Sequence, residues 1–174
     1  MSDDLLGPGA LDPDSPVAPP EATERTSYMI FRLRAVWYAV AAQGVRQAVS
    51  LCEAVPVPGT PVFVKGIINV AGQLITLLDL GLLLGVGTFD SSEEEAAPRY
   101  LVLQSGGMLV AIRADEVIGL RDVARSSEPS IQTGEDNPAG ETFIEGDRVV
   151  TVLLVGTLIE LAESKVRGTT GWRS

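Results

Sequence analysis

Short runs of alternating apolar and polar residues recur along this chain and predict β-strands. In YMIFRLR, residues 28–34, the side chains of Met29, Phe31 and Leu33 alternate with those of the opposite face, which is the period of a half-buried strand. The other runs, rich in β-branched and aromatic residues, are VWYAV (36–40), VRQAVSL (45–51), YLVLQ, MLVAIRA and EVIGLRDV (within 100–123), and DRVVTVLLV (147–155). Short strands separated by turns favour a sandwich or a barrel.

The most apolar part of the chain is VFVKGIINVAGQLITLLDLGLLLG, residues 62–85. It could be misread as a membrane span, but a central Asp79 would cost roughly 2.5–3.5 kcal/mol in a bilayer. We instead predict a short helical turn leading into a strand over 62–70, a buried strand over 72–78, and a turn into a short helix over 79–85.

Three segments lack the pattern of a strand or a helix. The prolines of VPVPGTP (55–61) exclude regular structure, because each removes a backbone donor. Acidic loops are predicted over 88–98 and 126–140. A closing helix is predicted over 156–166.

A weak internal repeat relates two parts of the chain. QLITLLDLGLL (73–83) and RVVTVLLVGTL (148–158) align at an offset of 75 residues, with Thr76 opposite Thr151. Each copy is a strand that runs into the glycine-marked start of a helix. Two similar β units explain this pattern, and chance agreement among leucine-rich strands is the alternative.

Composition separates a central domain from its ends. Residues 1–27 contain five prolines, six acids and one arginine, and such a segment cannot bury enough apolar surface to offset chain entropy. We expect a disordered acidic tail over 1–27, one domain over 28–166, and a C-terminal tail over 167–174. No signal peptide is visible, because the first residues are acidic and lack an apolar core. The net charge of −10 argues against general nucleic-acid binding.

The residue types required by common catalytic sites are missing. There is no histidine and a single cysteine, Cys52, which excludes His-dependent triads and metal sites built from His or several thiolates. Asp115 and Glu116 are neighbours on a predicted strand and point to opposite faces. Cys52 lies among apolar residues, so we expect it to be buried or half-buried, and a lone cysteine fits a reducing compartment. We therefore predict a binding protein, not an enzyme.

PVFVKGIINVAGQLITLLDL, residues 61–80, resembles the signature of CheW-like domains, the coupling modules of bacterial chemosensory arrays. That signature is roughly P-x-F-[IV]-x-G-x-x-N-[LV]-R-G-x-[IV]-[IVL]-P-[IV]-[IVL]-D-L, and the residues in register are Pro61, Phe63, Val64, Gly66, Asn69, Val70, Gly72, Leu77, Asp79 and Leu80. The similarity extends to YMIFRLR, to AIRADEVIGL (111–120) and to GDRVVTVLL (146–154). It therefore covers about residues 28–166.

The resemblance implies an all-β fold of two SH3-like five-stranded β-barrel subdomains on a shared core, with short helices that include one at the C terminus. It also implies a non-catalytic adaptor, without a cofactor, that links chemoreceptors to a CheA-type histidine kinase. In the family, one face of the first subdomain binds the kinase regulatory domain, and a groove between the subdomains receives the receptor tip. The implied location is cytoplasmic, at membrane-associated receptor arrays. The alternative is a small β-barrel ligand-binding protein that shares only the strand pattern.

Carried over position by position, the resemblance marks a set of candidate partner-binding residues, Val45, Gln47, Lys65, Gly66, Ile67, Asn69 and Ala71. Lys65 is expected to be exposed beside the partner face, and Asn69 to hydrogen-bond local backbone in a turn. Gly72 is assigned to that turn, and Asp79 to capping a helix start.

Three positions depart from the family pattern. Its Arg in N-[LV]-R-G is Ala71 here, and the acidic position that can pair with this Arg is Gln47. The Pro expected before the final [IV]-[IVL]-D-L is Thr76. We therefore expect a divergent or accessory member, which binds a kinase-type barrel but engages a standard receptor tip weakly or not at all.

Overall fold

Strands form most of the described chain. The computed structural model describes residues 24–87, 98–124 and 137–169. In chain order, the strands and helices of these ranges are β1 (Arg25–Leu33), β2 (Val36–Ala41), β3 (Val45–Ser50), β4 (Val64–Val70), β5 (Gln73–Leu78), α1 (Leu80–Leu83), β6 (Arg99–Ser105), β7 (Met108–Ala114), β8 (Glu116–Ala124), β9 (Ala139–Glu145), β10 (Arg148–Leu153) and α2 (Val155–Thr169). The fold is mostly β, as the sequence pattern predicts.

The strands make two five-stranded sheets. The terminal sheet has the order β8-β1-β2-β10-β9, and the central sheet has the order β3-β6-β7-β5-β4. The chain leaves the terminal sheet after β2, builds the whole central sheet, and returns at β8. Helix α2 follows β10 of the terminal sheet and packs against β6 of the central sheet, so the two sheets share one core.

The two sheets repeat the same strand arrangement. β10 lies parallel to β2, and β5 lies parallel to β7, while the other neighbouring pairs are antiparallel. Thr151 pairs with Tyr38 and Thr76 pairs with Val110, at matching places in the two parallel ladders. The 75-residue offset is therefore a structural repeat and not chance agreement.

The repeat extends to the backbone before each helix. Asp79 N donates to Phe63 O at 2.7 Å, and Leu154 N donates to Pro138 O at 2.8 Å. Both donors and both acceptors are 75 residues apart. β4 and β9 each also contain a register shift against the partner strand, so each copy is a bulged hairpin followed by a helix.

The strand pairing does not close either sheet into the barrel that the resemblance implied. Within the described residues, no ladder joins β8 to β9 or β3 to β4. The edges are linked in other ways: Arg121 Nε on β8 lies 3.8 Å from Glu145 Oε1 on β9. Val55, after β3, exchanges two backbone hydrogen bonds of 2.9 Å with Ile67 on β4. Each sheet is therefore curled, with a side-chain contact or a single bridge in place of the closing ladder.

Three clusters of buried apolar residues hold the sheets together. The largest lies between the sheets and α2, and includes Phe31, Leu33, Leu101, Leu103, Ile112 and Leu158. The terminal sheet covers a smaller cluster of Ile30, Ala39, Val150 and Val152. The central sheet covers the corresponding cluster, which includes Ile68, Ile75, Leu77, Val102 and Ala111.

Strand β1 is more deeply buried than its alternating pattern indicates. The neighbours Ile30 and Phe31 point to opposite faces, and both are 0% exposed. One joins the small cluster of the terminal sheet and the other joins the shared core. Full burial of such a side chain contributes about 1.5–3 kcal/mol, so β1 connects two cores at Ile30 and Phe31, while most of its other residues are half-buried.

Both ends of the predicted domain are longer in the structure. β1 begins at Arg25, because residues 25–27 pair with residues 122–124 of β8, and Ser27 Oγ donates to Asp122. Helix α2 continues to Thr169, past the predicted end at 166. Residues 1–23 and 170–174 of the predicted tails lie outside the described residues.

The predicted loop over 126–140 overlaps a strand. β9 pairs with β10 along its length, but it is an edge strand whose side chains are exposed or half-buried, so its sequence lacks a strong apolar pattern. A single turn, closed by Val64 N donating to Pro61 O at 2.9 Å, precedes β4 where a helical turn was predicted. Residues 88–97 and 126–136 of the two predicted acidic loops are outside the described residues.

Candidate partner-binding surface

The turn between β4 and β5 is held by Asn69. Its Oδ1 accepts a hydrogen bond from Gly72 N at 2.8 Å. Ala71 and Gly72 have φ values of 51° and 87°, and two central residues with positive φ make the type I′ turn that fits the twist of a hairpin. Ala71 is exposed at the tip, where an alanine in the left-handed region costs roughly 1–2 kcal/mol.

A β-bulge precedes this hairpin on β4. Val64 pairs with Leu78 and Gly66 pairs with Leu77, so Lys65 is the extra residue. Gly66 has a φ of 140°, and a Cβ there would lie 2.4 Å from Val55 O. Only glycine lets the segment after β3 approach the edge of β4 this closely.

Asp79 stands at the start of α1, beside the bulge. It is 0% exposed, and its Oδ1 accepts a hydrogen bond from Leu82 N at 3.0 Å, which caps the helix. Lys65 Nζ lies 3.6 Å from Asp79 Oδ2, and the Lys65 side chain is 41% exposed. The lysine therefore contacts a buried carboxylate, which its position in the sequence did not indicate.

The marked residues are only partly brought together. Lys65, Gly66 and Ile67 form the bulged start of β4, and Asn69 and Ala71 lie at the hairpin tip. Val45 and Gln47 lie on β3, at the opposite edge of the central sheet. Val45 is half-buried and packs against the shared core, and Gln47 is exposed.

Exposed apolar side chains surround the β4 edge. Val55 is 62% exposed, Val62 is 77% exposed and Leu74, opposite Asn69 on β5, is 70% exposed. The sequence pattern gave no reason to mark them, since Val55 begins the proline-rich segment 55–61, Val62 follows that segment, and Leu74 falls in a strand predicted to be buried.

The segment between β3 and β4 contains the single cysteine. Cys52 is exposed, so the prediction of a buried or half-buried role is wrong; the chain after β3 runs over the surface, and its apolar residues do not all point inward. Beneath it, Tyr100 Oη donates to Cys52 O at 3.4 Å. Burial raises the pKa of Tyr100, a negative Cys52 thiolate raises it further, and Arg113 opposes the shift.

A groove of about 300 Å³ lies between α2 and the central sheet. Its walls include Val64, Thr76, Leu78, Val110, Ile159 and Arg167. Thr76 also pairs with Ile67 on β4. The groove is therefore continuous with the face of the β4–β5 hairpin that carries Ile67 and Thr76, which we call the outer face of the hairpin. Among the described residues, no group of three or more His, Cys, Asp or Glu side chains could hold a metal ion. No helix in those same ranges is long and apolar enough to cross a membrane.

Comparison with known proteins identifies the family. The family model of the CheW-like domain matches residues 27–163. The crystal structure of the scaffolding protein TtCheW from Thermoanaerobacter tengcongensis superposes with a TM-score of 0.64 at 21% identity, over 75% of this chain and 89% of that one. Comparison with curated proteins finds no significant match. The chain belongs to the CheW-like domain family.

Proposed function

We propose that this chain is a non-catalytic chemotaxis scaffold that binds the regulatory domain of a CheA-type histidine kinase through the outer face of the β4–β5 hairpin. Family membership supports the scaffold role. The observation that supports this surface is the exposed apolar set of Val55, Val62 and Leu74 around β4, since contiguous exposed apolar patches mark interaction sites. A cytoplasmic location and the absence of a cofactor are parts of the same proposal.

Ile67 is the anchor that this surface offers. Its backbone is fixed by two hydrogen bonds to Val55, and its side chain is half-buried beside the exposed set. A side chain already held by its surroundings loses little entropy on binding, and a few central anchors carry most of the energy of an interface.

Binding to a purified kinase regulatory domain tests the proposal. Ile67→Asp and Leu74→Asp should each weaken binding at least tenfold while the protein stays folded. Val149→Asp is the matched control, because Val149 occupies the place of Leu74 in the other copy of the repeat and is 64% exposed. Unchanged affinity of both hairpin variants would remove this face from consideration.

The second part of the proposal concerns the receptor. The groove between α2 and the central sheet is the candidate seat of a chemoreceptor tip, continuous with the hairpin face. Ala71 and Gln47 lack the charges of the family pair, and a partly exposed pair adds only ~0–1 kcal/mol to stability. Its use is partner choice, since charges at the rim of an interface act on specificity. We therefore expect a normally folded protein with weak receptor binding.

A double-mutant cycle tests this expectation. Ala71→Arg with Gln47→Glu should raise receptor binding more than either single change does. Full receptor–kinase complexes formed by the unaltered protein, with kinase activation, would contradict the expectation. The alternative of a small ligand-binding β protein is not favoured, since the family match spans most of the described fold.

A further inference from the structure

The carboxylate of Asp79 has one oxygen that makes no hydrogen bond. Oδ1 caps α1 through Leu82 N, whereas Oδ2 is buried and has no hydrogen-bond partner among the described residues. The whole residue is 0% exposed. An ionised carboxylate in such a place is unfavourable unless a positive charge compensates it.

Lys65 supplies that charge from the β4 bulge. Its Nζ lies 3.6 Å from Asp79 Oδ2, which is an ion-pair distance and longer than a hydrogen bond. Because Lys65 has no partner residue on β5, its side chain is not committed to the pleat of the sheet. It is 41% exposed, so its stem lies along the protein and water reaches it only in part.

The second copy of the repeat has the same backbone without the charges. The 75-residue offset puts Gly140 in the place of Lys65 and Leu154 in the place of Asp79. These positions also meet, since a Cβ on Gly140 would lie 3.5 Å from Leu154 Cγ. The bulge therefore forms without an ion pair, and the two charges are present together or absent together.

The helices that follow the two bulges explain the difference. α2 has 15 residues, and four of them, Val155, Leu158, Ile159 and Ala162, are buried in the shared core. α1 has four residues, and Leu80 and Leu83 are also buried in the shared core. A single helical turn leaves most of its backbone amides without partners inside the helix, so α1 depends on the Asp79 cap. The cap requires an ionised or strongly polar acceptor in a buried place, and the acceptor in turn requires a counter-charge.

We propose that Lys65 is a positioning residue: it compensates the buried Asp79 cap and thereby holds α1 against the start of β4, and it is not itself a contact for the partner. Gly66 and Ile67 follow it directly and meet Val55, so the hairpin face adjoins the place where this ion pair joins β4 to α1. Only the consequence for binding rests on the proposed function; the ion pair is tested without any partner.

Equilibrium unfolding of four variants tests the ion pair. Lys65→Met leaves the carboxylate unpaired and should lower the equilibrium constant for folding roughly 10- to 100-fold, less than for a wholly buried pair because the lysine is partly exposed. Lys65→Arg keeps the charge and should stay near wild type. Asp79→Asn keeps a good cap without the charge, and Lys65→Met with Asp79→Asn should be more stable than Lys65→Met alone. Additive losses in this cycle would overturn the proposal.

Two controls keep the test decisive. Lys65→Arg is the matched control for the charge, and a loss in Lys65→Arg equal to the loss in Lys65→Met would overturn the proposal. If Lys65→Met does not fold, a folded double variant supports the ion pair, and an unfolded double variant overturns it.

Binding to the kinase regulatory domain separates positioning from contact. Lys65→Arg and the folded double variant should bind within about threefold of wild type, because the surface is restored without the lysine. A folded double variant that loses binding as fully as Lys65→Met would show direct contact and overturn the positioning role. If wild type itself fails to bind, the proposed function fails, while the unfolding cycle still decides the ion pair.

Discussion

Replacing Gly66 by alanine tests how the β4 edge is built. Gly66 has a φ of 140°, which L side chains rarely adopt. A Cβ there would lie 2.4 Å from Val55 O and 2.7 Å from Val55 C. Backbone atoms occupy this space, not the end of a flexible side chain, so the segment at Val55 must move away from β4.

Two terms set the expected loss of stability. Forcing a non-glycine residue into such a conformation costs roughly 1–3 kcal/mol. Displacing Val55 breaks its two 2.9 Å hydrogen bonds to Ile67, each worth about 1 kcal/mol. We expect Gly66→Ala to lower the free energy of unfolding by about 4 kcal/mol, a large part of the 5–15 kcal/mol typical of a domain.

Gly72→Ala is the matched control. Gly72 also has a positive φ, of 87°, but nothing lies within 4 Å of the Cβ it would gain. Its replacement should therefore cost only the conformational term, about 1–2 kcal/mol. Urea unfolding of both variants measures the difference. Equal losses would refute the close approach of Val55 to Gly66.

Three further predictions concern other parts of the chain. Deleting residues 1–23 should leave the thermal unfolding midpoint nearly unchanged, because the segment is rich in proline and acidic residues. Deleting residues 1–27 should lower the midpoint in the same thermal melts, because residues 25–27 pair with β8. Leu158→Ala should cost about 2–5 kcal/mol in urea unfolding, and Leu154→Ala, at a site 50% exposed, much less. Burial raises the pKa of Tyr38, so the folded state keeps the phenol neutral and stability falls as pH rises above about 10; Tyr38→Phe should reduce that alkaline loss.

Features that depend on local sequence could be predicted. Strand alternation and the proline-rich break gave most strand positions, because pleat period and missing donors are local properties. β9 could not be found, because an edge strand buries little and leaves a weak pattern. Closure of the sheets depends on how far each sheet curls, and strand propensity carries no information about that.

In the candidate surface, too, contacts between residues close in the sequence could be predicted, and contacts between distant residues could not. Asn69 with Gly72, and Asp79 with Leu82, are contacts between residues three apart, and turn and capping chemistry predicts such contacts. The approach of Val55 to Gly66 spans a longer stretch of chain. It follows from the route of the segment between β3 and β4, which only the three-dimensional structure shows.

The internal repeat separates what the fold requires from what one copy adds. Thr76 and Thr151 agree, at the matching place in each parallel ladder, so the fold accepts the same residue in both copies. Ala71 corresponds to Gly146, and both have positive φ, 51° and 64°. The tip of each hairpin therefore needs the left-handed conformation whatever residue stands there. Because alanine already bears that strain, an arginine at position 71 adds none to the backbone. The proposed change at this position thus reports on the side chain and its charge, and a failure to alter receptor binding could not be blamed on a distorted turn.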